Sequence, residues 1–568
     1  MMDNQKSITD NGQSAPAVVN IASYLPLMAK KQPSKPAIFF PRNKDKTGEV
    51  NYTHYTFKQL DRESNFIARG LEKYGIGRGV RTVLMVPPSP DFFSLSFAMF
   101  KVGAVPVMID PGIGIKNIKD CLAQAEPEAF IGIPKAHMAR TLLRWGRATI
   151  RINVIAGKCL FWRGLTLLKI RKTGESETPY EMARTREDET AAILFTSGST
   201  GPPKGAIYTH GNFTAQVEII RNTFQIEPGE IDLPTFPLFA LFDPALGMTT
   251  VIPDMDPTRP ALVDPENIIS PIHRFNITNM FGSPALLNRV GRYGAKRGIK
   301  CPSLRRVISA GAPVSAVVIE RFTQMLPSDS QIYTPYGATE AMPVSSIGSH
   351  EILQETKNVT DEGKGVCVGK PVNEMTVAVI GITDDIVAEW NDDLKVPEGH
   401  IGEIVAKGPT ATAAYYKKAI ATRFAKFYEK DGKDFWHRMG DLGMFDEQGR
   451  LWFCGRKTHR VITKSGPLYT IPCEAVFNTH PKVYRTALVG VEINGEIEPV
   501  ICVELEEGSH GLDLTTIKEE LLNLGNSRPH TKDIKEILFH NGFPVDIRHN
   551  AKIFREKLSV WAAKRLRR

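Results

Sequence analysis

Short apolar runs alternate with amphipathic stretches along most of this chain. Residues 81–90 (RTVLMVPPSP) predict a buried strand that ends in a turn. Residues 91–105 (DFFSLSFAMFKVGAV) have the apolar spacing of a helix, and residues 106–110 (PVMID) are strand-like again. Similar units recur at residues 192–201, 277–287 and 304–314. A repeated order of strand, helix and strand predicts an α/β fold built on a parallel sheet.

The pattern changes near residue 455, which predicts a second domain. A turn-rich stretch is followed by two strand-like runs, residues 485–495 and 498–508, joined by an Asn-Gly turn. A chain of 568 residues is also longer than one hydrophobic core supports. We therefore expect a large domain over residues 1–457 and a small α+β domain over residues 458–568.

The composition is that of a soluble globular protein, with 42% hydrophobic and 23% charged residues. No window approaches the roughly 18 consecutive apolar residues of a membrane span, and the polar N-terminus lacks the apolar core of a signal peptide. The seven cysteines are scattered and include no C-x-x-C pair, which argues against a disulfide framework and against a zinc site. These features predict a cytoplasmic location.

The net charge of +9 leaves several anionic partners open. The chain contains no recognised nucleic-acid-binding module, so we expect no nucleic-acid partner, whereas a nucleotide, an acidic substrate or a membrane surface fits the charge. Residues 129–174 contain ten Lys or Arg and no Asp or Glu, with Trp145, Phe161 and Trp162 interleaved. Either this stretch is a solvated basic face, or its part from 140 to 172 contacts a membrane surface or an acidic partner, assisted by the basic C-terminus.

The most informative segment is a strand that leads into a loop of hydroxyl and glycine residues, LFTSGSTGPPKGA at residues 194–206. Hydroxyl groups and backbone N–H groups in such a loop bind phosphate oxygens, and Lys204 adds a cationic donor. The Walker pattern does not fit, because Gly205 follows Lys204 where Ser or Thr is required. The candidate nucleotide-binding residues of this loop are Thr196, Ser197, Gly198, Ser199, Thr200, Gly201 and Lys204.

This loop matches T-S-G-[ST]-T-G-x-P-K-G throughout. It resembles the phosphate loop of the adenylate-forming, AMP-binding superfamily of acyl-CoA synthetases, peptide-synthetase adenylation domains and luciferases. The resemblance implies a large N-terminal domain of α/β subdomains and a small, mobile α+β C-terminal domain. It also implies ATP and Mg²⁺, with formation of an acyl adenylate and release of pyrophosphate. Thr196 then belongs to the catalytic residues as well as to the nucleotide-binding ones.

Two further motifs follow in the order of that superfamily. Residues 309–313 (SAGAP) resemble the segment that borders adenine. Residues 336–340 (YGATE) resemble the Y-G-x-T-E motif, whose aromatic ring stacks on adenine, whose Thr reaches the α-phosphate and whose Glu holds Mg²⁺ through hard carboxylate oxygen. This resemblance makes Glu340 the metal ligand. The nucleotide-binding residues that the two motifs supply are Gly311, Ala312, Tyr336, Gly337 and Thr339.

Motifs nearer the C-terminus complete the resemblance. Residues 437–442 (HRMGDL) resemble the motif whose Asp, here Asp441, binds both ribose hydroxyls, since a carboxylate accepts two parallel hydrogen bonds. Arg456 resembles the hinge Arg that also reaches the ribose. Residues 544–553 (PVDIRHNAKI) resemble the segment whose Lys bridges the substrate carboxylate and the phosphate, which makes Lys552 a catalytic residue.

Three departures from the superfamily concern its second half-reaction. Ala240 stands where acyl-CoA synthetases carry a His near the acyl pocket. The hinge continues as residues 458–460 (THR) instead of the usual sequence. The loop that guides a thiol acceptor is residues 465–468 (SGPL), where Pro and Leu make it stiffer and bulkier. All three changes argue against transfer of the acyl group to CoA.

Residues 236–261 closely resemble the β-lactone synthetases of bacterial long-chain olefin biosynthesis, as do residues 107–114 and 466–474. The resemblance implies adenylation of a long-chain 2-alkyl-3-hydroxy acid, whose own hydroxyl then displaces AMP and closes a four-membered lactone. It also implies contact with other enzymes of an olefin-forming complex. Two alternatives stay open: a long-chain acyl-CoA or acyl-carrier-protein ligase, and a non-catalytic binding protein on the same fold.

Ring closure requires a base within hydrogen-bond reach of the hydroxyl. The candidates are His210, Asp243, Asp254 and Asp256. Relatives that make no lactone also have a His at the position of His210, so a structural role fits it equally well. Asp254 and Asp256 fit turn residues of a Pro-rich loop. We therefore expect Asp243 to be the base, because it lies in the segment that sets this group apart.

Overall fold

The structure, a computed structural model, describes part of the chain, and all structural statements concern that part. The described residues are 18–110, 113–158, 164–195, 202–236, 238–506, 508, 513–546 and 552–567. The chain divides into two compact units. The first unit is Met1–Asp254 with Arg274–Asn279 and Pro409–Thr422, and the second unit is Met255–His273 with Met280–Gly408 and Arg423–Arg568.

Strands and helices alternate through the first unit, as the hydrophobic pattern predicts. Its strands are β1 (Pro36–Lys44), β2 (Val50–Thr56), β3 (Arg81–Met85), β4 (Val105–Met108), β5 (Ala129–Gly132), β6 (Ile152–Ile155), β7 (Leu165–Thr166), β8 (Thr190–Phe195), β9 (Gly205–Thr209), β10 (Ile231–Pro234) and β11 (Thr249–Val251). Its helices are α1 (Tyr24–Lys31), α2 (Phe57–Lys73), α3 (Pro90–Lys101), α4 (Ile115–Ala125), α5 (Pro134–Leu142), α6 (Leu167–Gly174), α7 (His210–Phe224) and α8 (Asp243–Leu246).

The later part of the chain is richer in strands. The remaining strands are β12 (Asn279–Phe281), β13 (Arg306–Ile308), β14 (Gln331–Ala338), β15 (Ala341–Gly348), β16 (Val366–Pro371), β17 (Thr376–Ile380), β18 (Gly402–Lys407), β19 (Lys426–Tyr428), β20 (Phe435–Phe445), β21 (Leu451–Arg456), β22 (Val461–Thr463), β23 (Gly466–Leu468), β24 (Val483–Ile493), β25 (Glu496–Leu505) and β26 (Glu536–Phe539). The remaining helices are α9 (Glu266–Phe275), α10 (Pro284–Arg297), α11 (Ala316–Thr323), α12 (Ser349–Glu351), α13 (Lys357–Asp361), α14 (Ala419–Ala425), α15 (Thr470–Asn478), α16 (Leu514–Asn526) and α17 (Arg555–Leu566).

A seven-stranded sheet in the order β7-β6-β5-β3-β4-β8-β9 forms the centre of the first unit. All neighbouring strands in it are parallel except β8 and β9, which confirms the predicted parallel sheet. The chain moves from β3 to β4 in one direction and from β4 to β5 in the other. Because such connections are right-handed, α3 lies on one face of the sheet while α4 and α5 lie on the opposite face.

Local sequence explains where the helices of this sheet begin. Ser89 precedes α3, and its hydroxyl accepts a hydrogen bond from the Phe92 N–H, while Pro90 takes the first helical position, where no N–H is needed. Thr209 and Asn212 form a reciprocal capping box at the start of α7, and His210 is the first residue of that helix. A second sheet of the first unit runs β10-β11-β1-β2.

The basic stretch of residues 129–174 does not form one surface. Helix α6 packs on α2, where Gly174 leaves no room for a Cβ against Phe66, so α5 and α6 lie on opposite faces of the seven-stranded sheet. Trp145 is buried in the core beneath α4, which removes it from the predicted basic and aromatic face. Phe161 and Trp162 lie outside the described residues. None of the helices in the described ranges is long and apolar enough to cross a bilayer.

The second unit contains a mostly antiparallel sheet in the order β17-β18-β20-β21-β16-β15-β14-β13 and a smaller three-stranded sheet, β24-β25-β26. Strands β24 and β25 form the predicted hairpin, and its turn residues Asn494 and Gly495 both have positive φ angles, 53° and 82°. The short sheets and helices α15–α17 that follow residue 457 have the α+β composition expected there. The exact boundary between residues 457 and 458 stays a prediction.

Candidate active site

The hairpin of β20 and β21 brings two of the predicted nucleotide-binding residues together. Asp441 on β20 and Arg456 on β21 stand directly opposite each other in the register of the sheet. Their side chains form an ion pair, with 3.0 Å between Arg456 Nη1 and Asp441 Oδ1. Tyr336, on β14, donates its hydroxyl proton to Asp441 Oδ2 at 2.7 Å. Three motifs from separate parts of the sequence therefore meet at one carboxylate.

Asp441 is buried, with 3% of its surface exposed, and its surroundings leave one acceptor position unused. Oδ1 makes no hydrogen bond, despite its distance to Arg456. Burial raises the pKa of Asp441, while Arg456 and the Tyr336 hydroxyl act in the opposite direction. A buried carboxylate oxygen without a hydrogen bond is costly unless a ligand donates to it. A ribose hydroxyl is such a donor, so the geometry fits the role that the sequence predicts for Asp441.

Glu340 and Lys552 lie close enough to act on the same carboxylate. Glu340 raises the pKa of Asp441 and Lys552 lowers it, after the larger contributions of burial and Arg456. The Lys552 carbonyl accepts a hydrogen bond from the Asp546 N–H, and Val545 pairs with Ile553. Residues 545 and 546 are thus paired with residues 552 and 553, and the residues between them lie outside the described part of the chain.

Helix α17, which follows Lys552, is fixed by a buried ion pair. Arg555 Nη2 lies 2.7 Å from both carboxylate oxygens of Glu474 on α15. Glu474 also accepts a hydrogen bond from the Leu488 N–H at 2.8 Å. Such a paired and hydrogen-bonded charge holds its surroundings in one geometry, because loss of either partner leaves the other charge buried. Arg555 therefore positions the segment that carries Lys552.

The residues present fit a magnesium ion held mainly by the substrate. Glu340 is half-buried, at the turn between β14 and β15. No group of three or more His, Cys, Asp or Glu suited to a metal occurs among the described residues. Mg²⁺ commonly takes one or two carboxylates and completes its octahedron with phosphate oxygens and water. One carboxylate beside a nucleotide site suits that mode of binding.

The remaining predicted nucleotide contacts are only partly described. Residues 196–201 of the phosphate loop lie outside the described residues, whereas Lys204 places its Nζ 5.2 Å from the centre of the Tyr415 ring. Gly311 follows β13 with a φ of 96° and Ala312 comes after it. A Cβ at Gly337 would lie 2.7 Å from the Ala341 carbonyl oxygen, so the turn that carries Thr339 and Glu340 requires glycine there.

His210 is completely buried at the start of α7. Its Nδ1 accepts a hydrogen bond from the Ile21 N–H at 3.3 Å, so the ring proton belongs on Nε2. Nε2 is buried and has no hydrogen-bond partner. Burial lowers the pKa of His210 to about 4. With Nδ1 engaged and Nε2 protonated, this imidazole is arranged to donate a hydrogen bond and not to accept a proton.

Asp243 belongs to a buried pair of carboxyl groups. Its Oδ2 accepts a hydrogen bond from the Thr250 hydroxyl at 2.8 Å, and a second hydrogen bond links it to Asp232 on β10. Asn279 donates its side-chain amide to Asp232. Burial, and then the charge of Asp232, raise the pKa of Asp243 well above its usual range. The hydrogen bond between these two carboxyl groups requires a proton on one of them.

Sequence reasoning did not identify Asp232 or Asn279. The available signal was an acidic residue within the apolar strand I-D-L-P at residues 231–234. By contrast, Asp256 accepts hydrogen bonds from the Thr258 N–H and hydroxyl, which confirms a turn residue. Asp254 is half-exposed and lies 3.8 Å from Lys44.

The hinge and the loop after it also have defined contacts. Lys457 donates to the Thr383 carbonyl at 2.8 Å and lies 3.3 Å from the buried Glu403. Arg460 pairs with Asp384 at 2.7 Å. The following acceptor-loop segment forms the short hairpin β22–β23. Arg460, one of the residues that replace the usual hinge sequence, is therefore tied to the segment that follows β17.

Comparison with known proteins identifies the family. The model of the AMP-binding enzyme family matches residues 27–416. The chain is 49% identical to an olefin beta-lactone synthetase of Xanthomonas campestris, over 98% of this chain and 99% of that protein. It is 50% identical to an olefin beta-lactone synthetase of Stenotrophomonas maltophilia, over 96% and 98%. The amide bond synthetase McbA of Marinactinospora thermotolerans has the same fold, with a TM-score of 0.77 at 20% identity, over 95% of this chain and 99% of that one. The chain belongs to the AMP-binding enzyme family and, within it, to the group of the olefin beta-lactone synthetases.

Proposed function

We propose that this protein uses ATP to adenylate a long-chain 2-alkyl-3-hydroxy acid and then closes the acyl adenylate to a β-lactone, releasing pyrophosphate and AMP. The observation that carries the first step is the cluster of Tyr336, Asp441 and Arg456 with Glu340 and Lys552 nearby. Identity of about half the residues to the two β-lactone synthetases supports the second step.

The adenylation step joins two anions, so it depends on positive charge and on orientation. Asp441 and Arg456 hold the ribose, and Lys552 neutralises charge between the carboxylate and the α-phosphate. Mg²⁺ at Glu340 supplies Lewis acidity to the phosphate oxygens when it is bound. The substrate carboxylate oxygen attacks the α-phosphorus, the bond to the β-phosphate oxygen breaks, and pyrophosphate leaves.

Ring closure requires no external acceptor. The β-hydroxyl oxygen attacks the acyl carbon, the bond from that carbon to the phosphate oxygen breaks, and AMP leaves with the electron pair. The proton of the hydroxyl passes to the carboxylate of Asp243 in its ionised form. A carboxyl group with a raised pKa is a stronger base than an ordinary carboxylate, which favours this role. The small Ala240, in place of a His, lies three residues before Asp243.

Product analysis tests the function directly. The purified protein is incubated with ATP, Mg²⁺ and a 3-hydroxy acid, with and without CoA, and the products are separated by mass spectrometry. We expect a β-lactone, AMP and pyrophosphate in equal amounts, with no dependence on CoA. Acyl-CoA formed only in the presence of CoA would instead establish the ligase alternative. If no acyl adenylate forms under any of these conditions, the remaining interpretation is a non-catalytic binding protein.

We also propose that α5 contacts an anionic membrane surface in the cytoplasm. Met138 and Leu142 on this helix are 59% and 75% exposed, next to the exposed Lys135 and Arg144. Apolar side chains flanked by basic ones suit the interface of an anionic bilayer, where the oily substrate is also soluble. The proposed membrane contact is restricted to α5, and does not extend over residues 140–172, because α6 lies on the opposite face of the seven-stranded sheet.

Sedimentation with vesicles that contain anionic phospholipid tests this contact. Leu142→Glu should reduce co-sedimentation at low salt, whereas Leu168→Glu, a matched change at a 58% exposed position on α6, should not. Equal binding of both variants, or no binding of the unchanged protein, contradicts a membrane role for α5. Equal binding of both variants would mean that α5 is a solvated basic face. No binding of the unchanged protein would fit that interpretation and also a contact with a protein partner of the olefin-forming complex.

A further inference from the structure

A buried lysine without a hydrogen-bond partner lies on the strand next to the nucleotide-site hairpin. Lys426 is the first residue of β19, which pairs with β20 so that Lys426 stands opposite His437. Only 3% of its surface is exposed, and its Nζ makes no hydrogen bond. Lys101, which is also buried, differs because its Nζ contacts Asp61 and two other side-chain oxygens at 2.6–2.8 Å.

The surroundings of Lys426 are apolar on one side and acidic on the other. Its Nζ lies 5.4 Å from the centre of the Phe435 ring. Burial lowers the pKa of Lys426 to about 7, and the one charge that acts against this effect is Glu340. The ammonium group therefore lies within electrostatic reach of the carboxylate assigned to Mg²⁺.

An ammonium group in this position needs an anion. A buried charge without a hydrogen bond is strongly unfavourable, and proteins retain such groups where a ligand completes them. Glu340 does not satisfy the hydrogen-bonding requirement of the Lys426 ammonium group, because Nζ makes no hydrogen bond to it. A polyphosphate remains negatively charged after it has bound a divalent cation, and its oxygens are strong acceptors for an ammonium group.

We propose that Lys426 binds the polyphosphate of ATP and the pyrophosphate product, from the side of the site where Glu340 lies. The inference rests on the proposed adenylation and adds a residue that the sequence motifs do not contain. Lys552 serves the α-phosphate and the substrate carboxylate, whereas Lys426 stabilises the leaving group. Stabilisation of the developing pyrophosphate charge by a preorganised, water-excluded cation lowers the barrier to its departure.

Calorimetric binding of sodium pyrophosphate, Mg·ATP and AMP to the full chain tests the proposal. Lys426→Met should weaken pyrophosphate and Mg·ATP binding by about ten- to a hundredfold, as expected for a charge-assisted hydrogen bond. AMP lacks the β- and γ-phosphates, so its affinity should stay within about twofold. Lys407→Met is the matched control, because Lys407 also lies over an aromatic ring, that of Trp436, but pairs with Glu429 at 2.8 Å.

Three results would overturn the inference. Equal weakening of AMP and pyrophosphate would mean a general structural effect, and unchanged pyrophosphate affinity would mean no contact. If Lys426 merely balances Glu340, Lys426→Met should have no effect in a Glu340→Gln background, whereas we expect the loss to persist there. Should the Met variant not fold, Lys426→Gln is measured in the same way. Failure of the inference is distinguishable from failure of the proposed function. The product analysis of the unchanged protein shows whether acyl adenylate forms, and this result does not depend on Lys426→Met.

Discussion

Replacement of Asp243 by Asn should separate the two half-reactions and also change the pH dependence of stability. The Asn amide donates to Asp232 and its carbonyl accepts from the Thr250 hydroxyl, so the buried network that surrounds the protonated Asp243 is retained. Asn cannot accept the proton of the β-hydroxyl. Loss of a general base costs about 10²–10⁴-fold in rate, so we expect lactone formation to fall by that factor while pyrophosphate release continues.

The effect on stability follows from the raised pKa of Asp243. Above the ordinary carboxyl pKa of 3.8 and below the raised value, the folded protein keeps a proton that the unfolded chain releases. The free energy of unfolding therefore decreases as pH rises across this window, by at most about 1.4 kcal/mol per pH unit from this group. Asn has no proton to release, so the variant should lose this slope and become more stable than the unchanged protein at higher pH.

Both effects are measurable on one preparation. Lactone is quantified by mass spectrometry, pyrophosphate by a coupled assay, and Tm by thermal unfolding across a series of pH values. Asp256→Asn is the control, because Asp256 is a turn residue of the neighbouring loop and should retain lactone formation. Lactone formed by the Asp243→Asn variant at the unchanged rate would refute the role of Asp243 and direct attention to the phosphate of AMP.

Three further changes test the nucleotide site. Lys552→Ala should reduce ATP–pyrophosphate exchange by about a hundredfold or more while ATP affinity changes little, and near-normal exchange would remove Lys552 from catalysis. Glu340→Gln should raise the Mg²⁺ concentration needed for half-maximal adenylation, because an amide is a weaker ligand for a hard cation than a carboxylate; an unchanged requirement means a structural role. Tyr336→Phe should cost about 1–3 kcal/mol in stability, because Asp441 Oδ2 loses its donor inside the protein. The affinity for AMP should decline as the pH is lowered, and the decline should begin above pH 3.8, the ordinary pKa of an Asp side chain. Burial raises the pKa of Asp441, and only its ionised form accepts hydrogen bonds from two ribose hydroxyls.

Most of the correct predictions from the sequence rest on patterns that involve several residues. The alternation of apolar runs predicts the parallel strands β3 and β4 and the helix between them, because burial imposes a period that many residues share. The Asn-Gly turn between β24 and β25 is set by local backbone geometry, and its positive φ angles are present in the structure. Motif order likewise selects Glu340 and Asp441, which the fold places near one another.

Features that depend on a single buried residue were not predictable in this way. Asp232 and Lys426 each lie within an apolar or aromatic run, and their sequence neighbours do not reveal which distant side chain they face. Asp232 acquires its properties from Asp243 and Asn279, and these contacts form only when the strands pair. The basic stretch shows the same limit of local information, because sheet topology decides that α5 and α6 face opposite ways.

The β20–β21 hairpin has a consequence for how relatives of this protein diversify. It carries Asp441 on one strand and, on the other, Arg456, which stands opposite Asp441. The turn between the strands is fixed by Asp446, which accepts hydrogen bonds from the N–H groups of Gln448 and Arg450. An insertion or deletion in that turn would shift the cross-strand register by a residue and turn Arg456 away from Asp441. Natural variants and designed chimeras should therefore tolerate length changes in neighbouring loops, while this turn keeps its length.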